Sequence, residues 1–87
     1  MSRLAVIGTG VIGNGWIARA LAQGWDVVAF DPDPNAPART QSFIDNAWAS
    51  LTQLGLAPGA SPERLTFATT IEEAVNGVDL IQENVPE

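Results

Sequence analysis

A glycine-rich motif near the N-terminus is the pattern in this sequence that most strongly indicates chemistry. The motif occupies residues 8–13 and reads Gly8-Thr9-Gly10-Val11-Ile12-Gly13. The apolar run before it, Leu-Ala-Val-Ile at 4–7, predicts a buried strand, and apolar residues at helical spacing after it predict a helix over 11–23. Glycine-rich turns between a strand and a helix bind phosphate groups through main-chain N–H groups, so the context favours a phosphate-binding site.

Each glycine of the motif has its own expected role. Gly8 permits the tight turn out of the strand, Gly10 lets the backbone approach a pyrophosphate, and Gly13 lets the helix pack close to the sheet. The first-turn N–H groups, those of Val11 and Ile12 included, have no acceptor within a helix and point at the anion. These residues form the expected cofactor-binding set. A close-packed turn that binds no ligand is the alternative.

An acidic residue, Asp31, follows the second apolar run, at 26–30. At this place in a dinucleotide-binding unit a carboxylate accepts hydrogen bonds from the ribose hydroxyls of the adenosine and repels a 2′-phosphate. No arginine or lysine follows until Arg39, so NAD is favoured over NADP. Asp33 is expected to face solvent, and a share in the ribose-binding role of Asp31 is the alternative. A simple turn residue in the Asp-Pro pair is the alternative for Asp31.

A second carboxylate, Glu83, follows the fourth predicted strand. Ligands bind at the carboxyl ends of parallel strands, where the strand order reverses. We therefore expect Glu83, Asn84 and Val85 to border the nicotinamide half of the cofactor. Asn84 is expected either to bind the ligand or to cap the turn before Pro86, and a solvated carboxylate is the alternative for Glu83.

The remaining elements must position these residues, and they alternate along the chain. Apolar runs predict strands at 4–7, 26–30, 65–68 and 78–82. Helices are predicted between them, the second from Pro37 to Leu54 and the third after Thr70, which forms a capping box with Glu73. The alternation of strands and helices predicts an α/β fold, with a Rossmann-type parallel sheet and helices on both of its faces. We expect this chain to contain part of that fold, with its strands in the order 3-2-1-4. Gly15 predicts close packing of the first helix, and an apolar stripe in the second helix is expected to be core: Phe43, Ile44, Ala47, Trp48, Leu51 and Leu54.

Composition excludes several classes of function. The chain has 87 residues, 46% of them hydrophobic, a net charge of −6, and four isolated arginines as its only basic residues. Nucleic acids and anionic membranes bind clustered positive charge, so neither is an expected partner. Cysteine and histidine are absent, which excludes disulfides and thiol catalysis and removes the commonest metal ligands, so no metal site is expected. The start, Met1-Ser2-Arg3, lacks a charged leader, and we expect a cytoplasmic protein.

We expect residues 1–87 to be the N-terminal part of an NAD-binding Rossmann domain. The fourth strand would otherwise present an unpaired edge and an uncovered apolar surface. The remainder of the domain and a helical C-terminal domain would then lie outside this chain. A complete small domain that dimerises through that edge is the alternative.

The sequence resembles the N-terminal part of the 3-hydroxyacyl-CoA dehydrogenase superfamily over essentially its whole length. The matching pieces are Val-Ile-Gly-Thr-Gly-Val-Ile-Gly at 6–13, Asp31, and Asp-Leu-Ile-Gln-Glu-Asn-Val-Pro-Glu at 79–87. The resemblance implies NAD-dependent oxidation of a 3-hydroxyl group to a ketone, with a histidine, oriented by a glutamate, as general base. The chain has no histidine, so the resemblance places the catalytic pair downstream of Glu87 and no catalytic residue here. It also implies a homodimer formed through the C-terminal domain.

Within the superfamily, the residues are most similar to members that oxidise L-carnitine to 3-dehydrocarnitine. This similarity rests on the segments 13–19, 26–32, 46–48 and 54–60. L-gulonate 3-dehydrogenase and 3-hydroxybutyryl-CoA dehydrogenase are alternatives within the superfamily. A non-catalytic module that senses NAD is an alternative of another class, as is a flavoprotein domain, which Asp31 disfavours.

Overall fold

The computed structural model describes residues 2–84, which form alternating strands and helices. The strands are β1 (Arg3–Ile7), β2 (Asp26–Phe30), β3 (Leu65–Phe67) and β4 (Leu80–Glu83). The helices are α1 (Val11–Ala22), α2 (Ala36–Leu54) and α3 (Ile71–Val75), and a short 3₁₀ helix (Pro62–Arg64) precedes β3. All the predicted elements are present. The largest difference is at β4, which begins at Leu80 rather than at 78.

The four strands form one parallel sheet in the order β3-β2-β1-β4. The predicted strand order and fold class are therefore confirmed. In the register of the sheet, Ile7 pairs with Phe30 on one side and with Glu83 on the other. The carboxyl ends of β1, β2 and β4 thus lie side by side. The glycine-rich motif, Asp31 and Asn84 follow these strand ends and lie at the same end of the sheet.

Side chains of alternating strand residues fill two cores, one on each face of the sheet. On the first face, α1 contributes Ile17 and Leu21 and α2 contributes Ile44, all with no exposed surface. They pack on the strand residues Leu4, Val6, Val27 and Ala29. On the second face, Ala74 of α3 packs on Ala5 and Val28. The helices therefore cover both faces, as the alternating pattern predicts.

The apolar stripe of α2 is less buried than predicted. Ile44 is fully buried, and Phe43, Trp48 and Leu51 are half-buried, but Leu54 is 84% exposed. Leu54 is the last residue of α2 and belongs to neither core cluster, so the prediction that it lies in the core is wrong.

Polar contacts fix the helix positions. The hydroxyl of Thr40 in α2 donates to Oδ1 of Asn14 in α1 at 2.7 Å, and both residues are buried. Thr70 caps α3 as predicted, because its hydroxyl accepts a hydrogen bond from the Glu73 N–H at 3.1 Å. The Glu73 carboxylate, however, faces the N–H and hydroxyl of Thr69 and not the N–H of Thr70.

The outer face of α1 is open. A Cβ atom at Gly15 would meet no described atom within 4 Å, so the predicted close packing at this glycine is wrong. Gly15 lies beside Trp16, which is 42% exposed. Within residues 2–84, no helix has the length and apolar character needed to cross a membrane.

Candidate functional site

The glycine-rich turn begins at Gly8, whose conformation requires glycine. Its φ is +90°, in the region that L side chains rarely adopt. A Cβ atom there would also lie 2.6 Å from the carbonyl oxygen of Asn84. The Gly8 N–H donates to the carbonyl of Phe30 at 2.8 Å. The first position of the turn is therefore held between the ends of β2 and β4.

Gly13 is required by close packing between α1 and the turn. A Cβ atom at Gly13 would overlap the carbonyl oxygen of Gly8 and would lie 3.1 Å from the Asn84 amide nitrogen. That amide donates to the carbonyls of Gly8, at 3.1 Å, and Ile7, at 3.4 Å. Asn84 therefore ties the end of β4 to the turn, a contact that the two predicted roles for this residue did not include.

Gly10 differs from the other two glycines because nothing in the described protein requires glycine there. Its φ is −73°, which any residue adopts, and a Cβ atom would meet no described atom within 4 Å. The space in front of Gly10 is open. The absence of a side chain at Gly10 thus leaves room for a ligand. For that reason the motif fits a binding site better than a close-packed turn that binds no ligand.

The N-terminus of α1 opens onto the same space. The first hydrogen bond of the helix runs from the Asn14 N–H to the Gly10 carbonyl at 2.8 Å, so the N–H groups of residues 11–13 have no acceptor within the helix. No side chain among residues 2–84 caps this end, and its first turn carries no acidic residue. Val11 and Ile12 are 83% and 63% exposed. Uncapped N–H groups and the helix dipole together favour a bound anion.

Asp31 stands beside this turn at the carboxyl end of β2. Its Oδ2 atom accepts hydrogen bonds from the Thr9 N–H, at 2.8 Å, and the Thr9 hydroxyl, at 3.1 Å. Its Oδ1 atom accepts one from the Asp33 N–H at 2.9 Å. Partial burial raises the pKa of Asp31, but these three hydrogen bonds outweigh it and hold the pKa below its ordinary value. The group is therefore a carboxylate at neutral pH.

Thr9 is the site residue that sequence reasoning missed. It is 1% exposed, and its N–H and hydroxyl both bind Asp31. The motif specifies only its glycines, so it predicts no role for the residue at position 9 between them. A hydroxyl residue directly after the first glycine is the available signal, and it becomes informative only when β1 and β2 are known to be neighbours.

Glu83 ends β4 in register with Ile7, and its side chain is exposed. The sheet therefore brings Glu83 to the same edge as the turn and Asp31, as the predicted strand order requires. Whether Glu83 contacts a cofactor stays a prediction. Val85, the other residue expected beside the nicotinamide with Asn84, lies outside the described residues.

These features fit an adenine dinucleotide. Open space at Gly10 and the free N–H groups of α1 suit a pyrophosphate, and an ionised carboxylate one strand away suits ribose hydroxyls. Each oxygen of Asp31 has two lone pairs. From the described residues Oδ2 receives two hydrogen bonds and Oδ1 receives one, so Oδ1 can accept a further hydroxyl.

Comparison with known proteins agrees with this geometry. Residues 3–87 match the family model of the 3-hydroxyacyl-CoA dehydrogenase, NAD binding domain. The L-carnitine dehydrogenase of Oceanobacillus iheyensis is 63% identical over 100% of this chain, which covers 28% of that protein. The L-carnitine dehydrogenase of Pseudomonas aeruginosa is 58% identical over 95% of this chain, which covers 26% of that protein. The chain thus spans little more than a quarter of these relatives.

Solved structures share the fold as well. One is 5-formyl-3-hydroxy-2-methylpyridine 4-carboxylic acid 5-dehydrogenase, an NAD+-dependent dismutase, with 42% identity and a TM-score of 0.83 over all of this chain and 29% of that one. Another is a diketoreductase, with 26% identity and a TM-score of 0.82 over all of this chain and 32% of that one. The predicted resemblance to the superfamily and the predicted cofactor, NAD, are confirmed. The chain belongs to the NAD-binding domain family of the 3-hydroxyacyl-CoA dehydrogenases.

Proposed function

We propose that this chain binds NAD for a whole protein that oxidises the 3-hydroxyl group of L-carnitine to the ketone of 3-dehydrocarnitine. One observation carries the binding site: the glycine that faces open space, Gly10, lies at the uncapped start of α1. The fold requires Gly8 and Gly13 but not Gly10. A ligand that approaches the main chain is the physical reason for a glycine at this position.

The residues divide the work of binding. Gly8 and Gly13 shape the turn, and the N–H groups of Val11, Ile12 and Gly13 would bind the pyrophosphate. Asp31 would accept an adenosine ribose hydroxyl at Oδ1. Glu83 would border the nicotinamide half, a role that its position beside the end of β1 supports.

Bound NAD supplies a hydride acceptor, and this chain's own residues orient it. Oxidation of a hydroxyl group also needs a base that takes the hydroxyl proton, and a base with a pKa near 7 suits that step. The chain has no histidine. We place the catalytic histidine and its glutamate partner in the rest of the whole protein, together with the remainder of the Rossmann domain and a helical C-terminal domain.

Two matches at 58–63% identity favour L-carnitine as the substrate, because both relatives bear the name L-carnitine dehydrogenase. L-gulonate and 3-hydroxybutyryl-CoA are the alternative substrates, and a non-catalytic NAD sensor is the alternative of another class. A homodimer and a cytoplasmic location belong to the same proposal. The homodimer rests on resemblance to the superfamily.

The test is NADH formation by the whole protein that contains this chain, with L-carnitine, L-gulonate and 3-hydroxybutyryl-CoA assayed side by side. We expect the highest kcat/KM with L-carnitine. Activity only with 3-hydroxybutyryl-CoA would contradict the substrate and leave the reaction class intact. Tight NAD binding without turnover of any of the three would favour the sensor.

A further inference from the structure

A pair of charged residues lies directly beside the carboxylate proposed to bind ribose. Arg39, in the first turns of α2, places Nη1 2.8 Å from Oδ2 of Asp33. Asp33 also accepts a hydrogen bond from the Asn35 N–H at 2.9 Å through Oδ1 and donates its own N–H to Asp31 at 2.9 Å. Asp33 therefore links the two residues: its carboxylate pairs with the guanidinium of Arg39, and its N–H donates to Asp31, the carboxylate proposed to bind ribose.

The other arginines of residues 2–84 lie elsewhere. Arg3 begins β1, and Arg64 pairs with Asp26, which begins β2, at 3.0 Å. Both arginines thus lie at the amino-terminal ends of the parallel strands, opposite the end that carries the glycine-rich turn. Arg19 lies in the last turn of α1, away from the glycine-rich turn. Arg39 is accordingly the cation best placed to meet a phosphate on the adenosine ribose.

We infer that Asp33 is a second determinant of the preference for NAD over NADP, because it holds Arg39, the arginine of residues 2–84 best placed to bind a 2′-phosphate. This inference rests on the proposed NAD site. An arginine forms short, charge-assisted hydrogen bonds with phosphate, often through two N–H groups at once. With Asp33 in place, the guanidinium is already paired and its charge compensated. Asp31 thus excludes NADP directly, and Asp33 does so by occupying Arg39.

The test is a double-mutant cycle in the whole protein that contains this chain. Asp33→Asn keeps an oxygen for the Asn35 N–H and removes the charge that holds Arg39. The dissociation constants of NAD+ and NADP+ are measured by calorimetry, and folding is checked by circular dichroism. We expect Asp33→Asn to shift the ratio of the two constants toward NADP+ by about fivefold, the scale of one exposed ion pair. Arg39→Ala should abolish that shift in the Asp33→Asn protein and change the ratio less than about twofold on its own.

A matched control separates this effect from net charge. Asp45 lies on the same helix, accepts a hydrogen bond from Gln41 at 3.0 Å, and has no contact with Arg39 among the described contacts. Asp45→Asn removes the same charge and should leave the ratio unchanged. Should Asp33→Asn misfold, Asp33→Ser keeps a hydroxyl oxygen for the Asn35 N–H and replaces it in the cycle.

Three results would overturn the inference: an unchanged ratio in the Asp33 variant, a shift that survives Arg39→Ala, or an equal shift in Asp45→Asn. Failure of the proposed function itself gives a different result. In that case the unsubstituted protein would bind neither NAD+ nor NADP+ at the site, whatever residue stands at position 33.

Discussion

The carboxylate of Asp31 accepts hydrogen bonds from both the main-chain N–H and the hydroxyl of Thr9, at 2.8 and 3.1 Å. Asp31 follows β2, whereas Thr9 lies in the turn after β1, so the two contacts join the neighbouring strand ends. They hold the carboxylate against the glycine-rich turn before any ligand binds. The group proposed to bind ribose and the groups proposed to bind phosphate are therefore held as one unit, which lowers the ordering cost of binding.

The Thr9 hydroxyl should contribute to both stability and NAD binding. Thr9→Val keeps the shape and the main-chain N–H but removes one of the three hydrogen bonds to Asp31. We expect a loss of about 0.5–1.5 kcal/mol in the free energy of unfolding and a severalfold weaker affinity for NAD. Urea denaturation and NAD titration measure the two effects. Thr9→Ser, which retains the hydroxyl, should bind NAD nearly as well as the unsubstituted protein, and equal weakening in both variants would contradict this role.

The low pKa of Asp31 predicts a pH dependence of stability. Because the folded pKa lies below the ordinary 3.8, ionisation of this group stabilises the fold above about pH 3.8. That contribution is lost as the pH falls through the folded pKa. We expect the free energy of unfolding to fall more steeply below about pH 4 in the unsubstituted protein than in Asp31→Asn. Equal slopes in chemical denaturation series at several pH values would show that the hydrogen bonds to this carboxylate do not favour its charged form.

The buried contact between Thr40 and Asn14 should be a determinant of stability. Thr40→Val leaves the Asn14 oxygen buried without its 2.7 Å donor, at a cost of about 1–3 kcal/mol in the free energy of unfolding. Thr40→Ser keeps the hydroxyl and should cost less. Thr52, whose hydroxyl donates to the Trp48 carbonyl at the exposed end of α2, provides a surface control, and Thr52→Val should change stability by less than about 0.5 kcal/mol. Equal losses in Thr40→Val and Thr40→Ser would contradict the prediction.

The two central strands, β1 and β2, were predictable because each is short and has three buried residues in a row. Such strands read as continuous apolar runs, and their alternation with helices leaves few possible topologies. The backbone roles of Gly8 and Gly13 were predictable for a similar reason, since the motif and its place between β1 and α1 are both local features of the sequence.

The missed features depend on contacts between distant parts of the chain. Thr9 meets a carboxylate 22 residues away, and Asn84 meets Gly8 across 76 residues. Neither contact has a local pattern, because each depends on which strands are neighbours and in what register. Leu54 illustrates another limit. Helical periodicity identifies the inward face of α2 but not where along the helix burial ends, so the pattern placed the exposed last residue of α2 in the core.

Substitution of Gly10 by valine separates binding from folding. The φ of −73° and the open space in front of Gly10 mean that a side chain there disturbs no described contact. Gly15→Val is the matched control, because Gly15 lies in α1, the helix that Gly10 precedes, and a Cβ atom there also meets no described atom within 4 Å. Both variants should therefore fold, which circular dichroism and thermal unfolding can verify.

The most direct measurement is the dissociation constant of NAD for Gly10→Val in the whole protein that contains this chain. A valine side chain would occupy the space proposed for the pyrophosphate, so we expect affinity to fall by roughly tenfold or more, about 1.4 kcal/mol, while Gly15→Val binds as the unsubstituted protein does. A folded Gly10→Val protein with unchanged affinity for NAD would show that the phosphates do not bind at this turn.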